Sequence, residues 1–327
     1  MRGRASVATS QPKIAHPHGA ADAAGSARRV AARRALNAEA GFGYLFVAPL
    51  LALMVAFIYW PLLYSAYLSL YDWNFVSPDW RFVGATNYTR LPDDPRFRLA
   101  LWQTVVYVLA LVPIKVFLPL GLALLLWPIR RSRAQGVYRL MLFTPTVISF
   151  AVAALVWLWI FNPLQGVLNQ MIVGAGGSRI NWLSNPQTAI WCVIIVSTWK
   201  VLGFNLLLYL AALEAVPEEY IEAGSIDGAG GWQLIRHIRW PLITPTFFFI
   251  LVTTIIFVND EVFSAISVLT DGGPFDRSIN VVFYLYQQAF RYFQIGIASA
   301  VAIILSVAVI ALTWIQFRFV ERHVHYG

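Results

Sequence analysis

Six long apolar runs, at roughly 42–71, 99–127, 140–161, 189–213, 246–268 and 295–317, constrain this chain more than any motif does. A helix rises 1.5 Å per residue, so about 20 apolar residues cross the hydrocarbon core of a bilayer. Each run reaches that length. Lipid offers the backbone no hydrogen-bond partners, so such segments must close their bonds internally, as helices do. The expected fold class is an all-α integral membrane protein with six transmembrane helices. Pro61 interrupts the first run, and Pro113 and Pro119 the second. Membrane helices tolerate these residues because neighbouring groups re-satisfy the freed carbonyls. Composition excludes the soluble alternative: 12% of residues are charged, against about a quarter in soluble domains. Tyr71, Trp73, Trp127, Trp182 and Trp314 fall near run ends, where an interfacial belt is expected.

The net charge of +8 is spread among loops and a tail, which favours membrane orientation over nucleic-acid binding. Lys and Arg number seven in residues 1–41, four in 128–139, two in 214–245 and two beyond 317. The three opposite loops hold seven together, which places both termini in the cytoplasm of a multi-pass cell-membrane protein. Residues 1–41 read as a disordered basic cytoplasmic tail with a helical patch at 28–37, and 321–327 as a second cytoplasmic tail. A cleaved signal peptide is the competing reading of the start. The run that follows is too long for one. Cys192 is the lone cysteine, so no internal disulfide and no cysteine-based metal site is possible.

Between the fourth and fifth runs lies a polar island, 214–245. Pro217 introduces a short helix carrying Glu218, Glu219, Glu222 and Asp227. Gly228-Ala229-Gly230-Gly231 makes a turn, and a second helix carries Trp232, Leu234, Ile235 and Ile238 before Pro241 and Pro245 are expected to stop it. An amphipathic helix pair beside a membrane must bury its apolar face against something, here most simply a partner protein.

The residues Glu222-Ala223-Gly224, Asp227-Gly228-Ala229, Trp232 and Leu242 resemble the "EAA loop" of membrane permease subunits of binding-protein-dependent ABC importers. One position departs from that pattern: Gly224 stands where alanine is usual. The resemblance spans about residues 42–320 and implies a six-helix transmembrane domain with a cytoplasmic coupling loop between helices 4 and 5. In that family the loop enters a cleft on an ATPase subunit. Glu222, Ala223, Gly224, Asp227 and Gly228 are the coupling residues the resemblance implies. It also implies the partners: a second, homologous permease subunit, two cytoplasmic ATPase subunits, and a periplasmic or lipid-anchored solute-binding protein. ATP and Mg²⁺ would be bound by the ATPase subunits and no cofactor by this chain.

The outer loops narrow the resemblance. Phe82-Val83-Gly84, Asn87-Tyr88, Asp94 and Phe97 are similar to the first external loop of sugar-type permeases. Leu269-Thr270-Asp271-Gly272-Gly273-Pro274, followed by Tyr284, Tyr286, Ala289-Phe290, Gly296 and Ser299-Ala300, resembles permeases of the maltose and glycerol-3-phosphate type. The implied substrate is a carbohydrate: a sugar, oligosaccharide or polyol-type solute.

Lys115, Lys200, Asp260 and Glu261 fall inside expected spans, where an ionisable residue is costly unless paired or hydrated. Lys115 lies roughly 18 Å from the end of its span, beyond the reach of a snorkelling lysine. Two readings are open. Asn205, Asn259, Asp260 and Glu261 line a substrate path, or the lysines and carboxylates pair across helices or a subunit interface. Asp260 and Glu261 point about 100° apart, so they cannot both face one cavity squarely. Arg291, beside Phe290 and Tyr292, is expected at the interface, holding lipid phosphate or loop carboxylates.

No Gly-x-x-x-x-Gly-Lys-Ser/Thr run, His-Glu-x-x-His or Gly-x-Ser-x-Gly occurs, so the sequence offers no phosphate-cradling loop and no catalytic or metal set. A stand-alone secondary transporter is the alternative function. It would show inverted repeats, which this sequence lacks, and would leave the polar island without a role.

Overall fold

Residues 44–130 and 132–319 are described by the computed structural model. The expected tails 1–41 and 321–327, with the 28–37 patch, lie outside them. The apolar runs do form helices: among the described residues five are long and apolar enough to cross a membrane, or six if one bent pair counts as a span.

The first helix, α1 (Tyr44–Leu68), is apolar on every side, as a lipid-facing rod is. Of the described residues, 44–63 fall in one compact unit and those from 64 onward in another. Within α1 the turn before Pro61 widens into a π-helical segment, Val55–Tyr59, where the Trp60 N–H bonds to the Val55 carbonyl. Proline lacks an N–H and its ring crowds the carbonyl four residues back, so one wider turn lets the helix continue.

The second unit opens with a small hairpin, β1 (Tyr71–Asp72) and β2 (Arg81–Phe82), in antiparallel register Tyr71↔Phe82. A short helix α2 (Thr86–Arg90) follows, then the long α3 (Pro95–Leu126), which runs unbroken through Pro113 and Pro119. The third expected span is corrected. Instead of one helix at 140–161 there are two, α4 (Arg133–Val147) and α5 (Phe150–Ile160), bent by 105°. Ile148 and Ser149 are extended, and the Ser149 hydroxyl accepts from the Val152 N–H, capping a new helix where the old one ended. Helix α6 (Val167–Gly174) lies in the loop beyond.

The fourth span, α7 (Ala189–Glu214), is the hub of the second unit, packed against α3, α4 and α5. It is followed by α8 (Glu218–Ile226) and by α9 (Gly231–Leu269), which also packs on α7. Here a second expectation is corrected: the helix after the glycine turn does not stop at Pro241 but continues as the fifth span. The same device as in α1 permits it. A π segment, Ile235–Arg239, precedes the Trp240-Pro241 pair just as Val55–Tyr59 precedes Trp60-Pro61. The last elements are α10 (Val281–Phe290) and α11 (Ile295–Phe319).

Two apolar clusters fill the second unit. One gathers Phe97, Tyr107 and Leu111 of α3 with Cys192, Val193 and Val196 of α7 and Val262 and Ile266 of α9. The other joins Val116, Leu120 and Ala123 of α3 to Leu206, Tyr209 and Leu210 of α7 and Ile243 and Ile250 of α9. Between them in sequence on α3 and α7 lie Lys115 and Asn205, both buried.

Candidate functional site

The sequence features with chemical potential fall in three places along the second unit. The first is the α8 loop. Pro217 precedes α8 in an extended conformation, and Glu218 and Glu219 occupy its first turn, where the helix dipole favours negative charge. The helix ends in a Schellman arrangement. The Gly228 N–H bonds to the Ser225 carbonyl at 3.1 Å and the Ala229 N–H to the Gly224 carbonyl at 2.9 Å. Gly228 takes φ +81°, the left-handed conformation this cap requires and side chains resist. The next helix starts at once, its Gln233 side chain accepting from the Gly230 N–H at 2.7 Å. Loop and membrane helix α9 are therefore joined by a single fixed turn.

Gly224 explains the departure from alanine. A Cβ there would lie 2.8 Å from Ile238 Cδ1 and 2.9 Å from Leu234 Cδ2. The missing methyl lets α8 seat closely on the first turns of α9. Glu222, Ala223, Asp227 and Gly228 are exposed. Among the described residues, the Glu222 and Asp227 carboxylates form no ion pair. Apolar groups flank them: Ile226 is 87% exposed and Trp232 70%. Ile226 was not among the residues picked from sequence. Its signal is an isoleucine at the last position of a short amphipathic helix, out of register with the buried side.

The second place is mid-bundle. Lys115 donates to the Glu261 carboxylate, a pairing in which the lysine is 1% and the glutamate 24% exposed. Asn205 is buried and its Nδ2 donates to the Lys115 carbonyl at 2.9 Å. Lys200 donates to the Thr146 carbonyl at 2.8 Å, and Thr146 Oγ1 donates back to the Lys200 carbonyl at 3.2 Å, tying α7 to the end of α4. Asn259 offers its backbone carbonyl to Asn280 Nδ2 at 3.0 Å. Asp260 alone of the four path candidates is exposed, on a stripe of α9 with Phe257 and Ser267. The 100° separation puts Glu261 towards α3 and Asp260 on an open face. Among the described residues no His/Cys/Asp/Glu group is arranged to hold a metal ion.

The third place is the opposite end of the bundle from α8. Asp94 caps α3 by accepting from the Arg96 N–H at 2.8 Å, and its other oxygen accepts from the Tyr284 hydroxyl at 2.6 Å. Burial, and secondarily that bond, push the Tyr284 phenol well above its ordinary range, so it stays a donor. Arg96 forks onto Asp276 at 2.8 and 2.9 Å and reaches the Tyr292 hydroxyl at 2.8 Å. Arg291 pairs with Asp271, which raises the guanidinium pKa; of the two expected partners, it takes a loop carboxylate. The Arg96 network crosses about 180 residues of sequence, and nothing local announces it.

With this geometry in hand, comparison with known proteins is specific. A family model described as "Binding-protein-dependent transport system inner membrane component" matches residues 95–325. The sn-glycerol-3-phosphate transport system permease protein UgpA of Agrobacterium fabrum (strain C58) is 36% identical over 288 residues, covering 87% of this chain and 96% of the relative. The protein of the same name from Pectobacterium atrosepticum is 32% identical over 284 residues, covering 86% and 95%. Among solved structures, a bacterial ABC transporter involved in the import of the acidic polysaccharide alginate superposes with a TM-score of 0.76. Its matching chain is 23% identical, and the match covers 86% of this chain and 95% of that one. A second structure of such an alginate transporter, in complex with its alginate pentasaccharide-bound periplasmic protein, gives the same TM-score and identity, covering 88% and 96%.

Proposed function

The chain belongs to the binding-protein-dependent transport system inner membrane components, a family of multi-pass permeases, and from that premise we propose the assembly and substrate it serves. It is one of two homologous, non-identical permease subunits of an ATP-driven importer. Two cytoplasmic ATPase subunits bind ATP and Mg²⁺, and an external solute-binding protein delivers the cargo. Both termini and the α8 loop face the cytoplasm, consistent with the Lys and Arg distribution. The cargo is a carbohydrate or polyol-derived solute, the class to which the relatives' glycerol phosphate and alginate belong.

The observation that carries the coupling role is a pair of exposed carboxylates, Glu222 and Asp227, without an ion pair among the described residues and set among exposed Ile226 and Trp232 on a loop fixed to α9. An apolar patch with unsatisfied charges at its edge is the surface a partner completes. When the ATPase subunits close, α8 moves with them and the single turn at Gly228 passes that movement to α9. The exposed stripe of Asp260 and Ser267 cannot face hydrocarbon cheaply. It lies against the second permease subunit, with Asp260 and Asn259 lining the solute path, while Glu261 and Asn205 brace it.

Gly228→Val tests this. A β-branched residue resists φ +81° and will distort the turn. The expected result is normal membrane insertion with solute uptake reduced at least about tenfold, on the scale of a misplaced contact. Uptake at the wild-type rate would remove the loop from the mechanism.

A further inference from the structure

A cleft of about 360 Å³ opens where the end of α3 meets the start of α8 and the first turns of α9. Trp127, Arg130, Glu214, Glu218 and Arg239 supply its polar lining. Both guanidiniums lie over the Trp127 ring, Arg130 at 4.7 Å and Arg239 at 5.4 Å from its centroid. Two like charges on one indole call for a counter-charge. Glu218, in the same lining, answers Arg130 by accepting from it at 2.7 Å, and Glu214 accepts from Arg139, so the uncompensated charge is that of Arg239. Among the described residues Arg239 has no ion pair.

The donors make the case sharper. Trp127 is 8% exposed, and its Nε1–H is buried without an acceptor; so is the Nε–H of Arg239. Indole and guanidinium groups donate and never accept, so no rotation of either can satisfy the other. Buried donors are normally paired, and two orphans at one cleft mark an absent acceptor rich in oxygen. The position says which. The last turns of α3 expose Leu118 and Leu125, and Ile129 just beyond them is exposed as well, so the cleft sits where the apolar surface gives way to Arg and Trp. An arginine without an ion pair between membrane helices at that level suits an anionic headgroup.

We propose that this cleft binds the phosphate of an anionic membrane lipid, with Arg239, Arg130 and the Trp127 indole N–H as its donors. The lipid bridges the end of α3 to the α8–α9 pair. It steadies the base of the coupling loop from the membrane side. The role at the coupling loop rests on the functional reading above, but the test reads lipid retention and not uptake, so the two can fail separately.

The test is native mass spectrometry of the full chain, in whatever complex it purifies with, after delipidation and titration with phosphatidylglycerol or phosphatidylcholine. Wild type is expected to retain one phosphatidylglycerol in preference to phosphatidylcholine. Arg239→Gln should weaken that retention roughly fivefold to tenfold, the scale of one basic residue at an anionic surface. Trp127→Phe keeps the ring and removes one donor, and should weaken it less; it also serves if Arg239→Gln does not insert. Inorganic phosphate at millimolar concentration should not displace the lipid. Equal retention of the two lipids, or retention unmoved in both variants, would overturn the proposal. Displacement by free phosphate would assign the cleft to a water-borne anion instead.

Discussion

The two ends of the helix bundle use the same side chains to opposite effect. At the end where α3 begins, every carboxylate singled out has a partner within the chain: Asp276 holds Arg96, Asp94 holds Tyr284 and Asp271 holds Arg291. At the other end, Glu222 and Asp227 stand exposed and unpaired beside Ile226 and Trp232. At that second end Glu214 and Glu218 are paired within the chain, and it is Glu222 and Asp227 that, among the described residues, are left open. Charge alone therefore does not mark a functional surface in a membrane protein. The informative quantity is whether the charge is satisfied without a partner, and mid-bundle Lys115 and Glu261 are satisfied in that way.

This contrast can be broken by mutation, in a fixed order of effect on stability in detergent. Glu261→Ala leaves the Lys115 ammonium buried without its acceptor. It should cost about 3 kcal/mol, the low end for breaking a buried pair because the glutamate is partly open. Replacing both, Lys115→Met with Glu261→Met, should restore most of that loss, as followed by thermal unfolding on size-exclusion chromatography. Arg96→Gln removes a forked, half-buried contact that joins α3 to the loop before α10, and should cost about 1–2 kcal/mol. Glu222→Gln and Asp227→Asn should shift stability by less than about 0.5 kcal/mol, as exposed substitutions do. Uptake should fall sharply all the same. A stability loss at Glu222 as large as that at Arg96 would erase the distinction between the ends.

Much of this organisation was legible in the sequence, because hydrocarbon imposes long apolar helices. The EAA-like residues located the unfinished surface, and the spacing of Asp260 and Glu261 anticipated their separation by face. Two features were not legible. Proline reads as a stop, yet a single π turn before Trp240-Pro241 carries the fifth helix on from Gly231. Pro145 is the one break signal in 140–161, yet it lies inside α4 and the 105° bend falls beyond Val147; the Ser149 cap resembles any serine in an apolar run until its hydroxyl is seen accepting from Val152. The Arg96 network was equally silent, since its members are far apart in sequence and arginine at a helix start is common.

The central claim is that α8 is completed by an ATPase subunit, and the chain suits a direct test because its lone cysteine, Cys192, is buried. Ile226→Cys in native membranes, labelled with a short reagent that is thiol-reactive at one end and photoreactive at the other, then irradiated and analysed by mass spectrometry, should join this chain to an ATP-binding subunit. The yield should change when ATP is added. Phe275→Cys, exposed at the opposite end, should not give that product. A cross-link from Phe275→Cys to the ATPase, or none from Ile226→Cys in a preparation that still transports, would contradict the account.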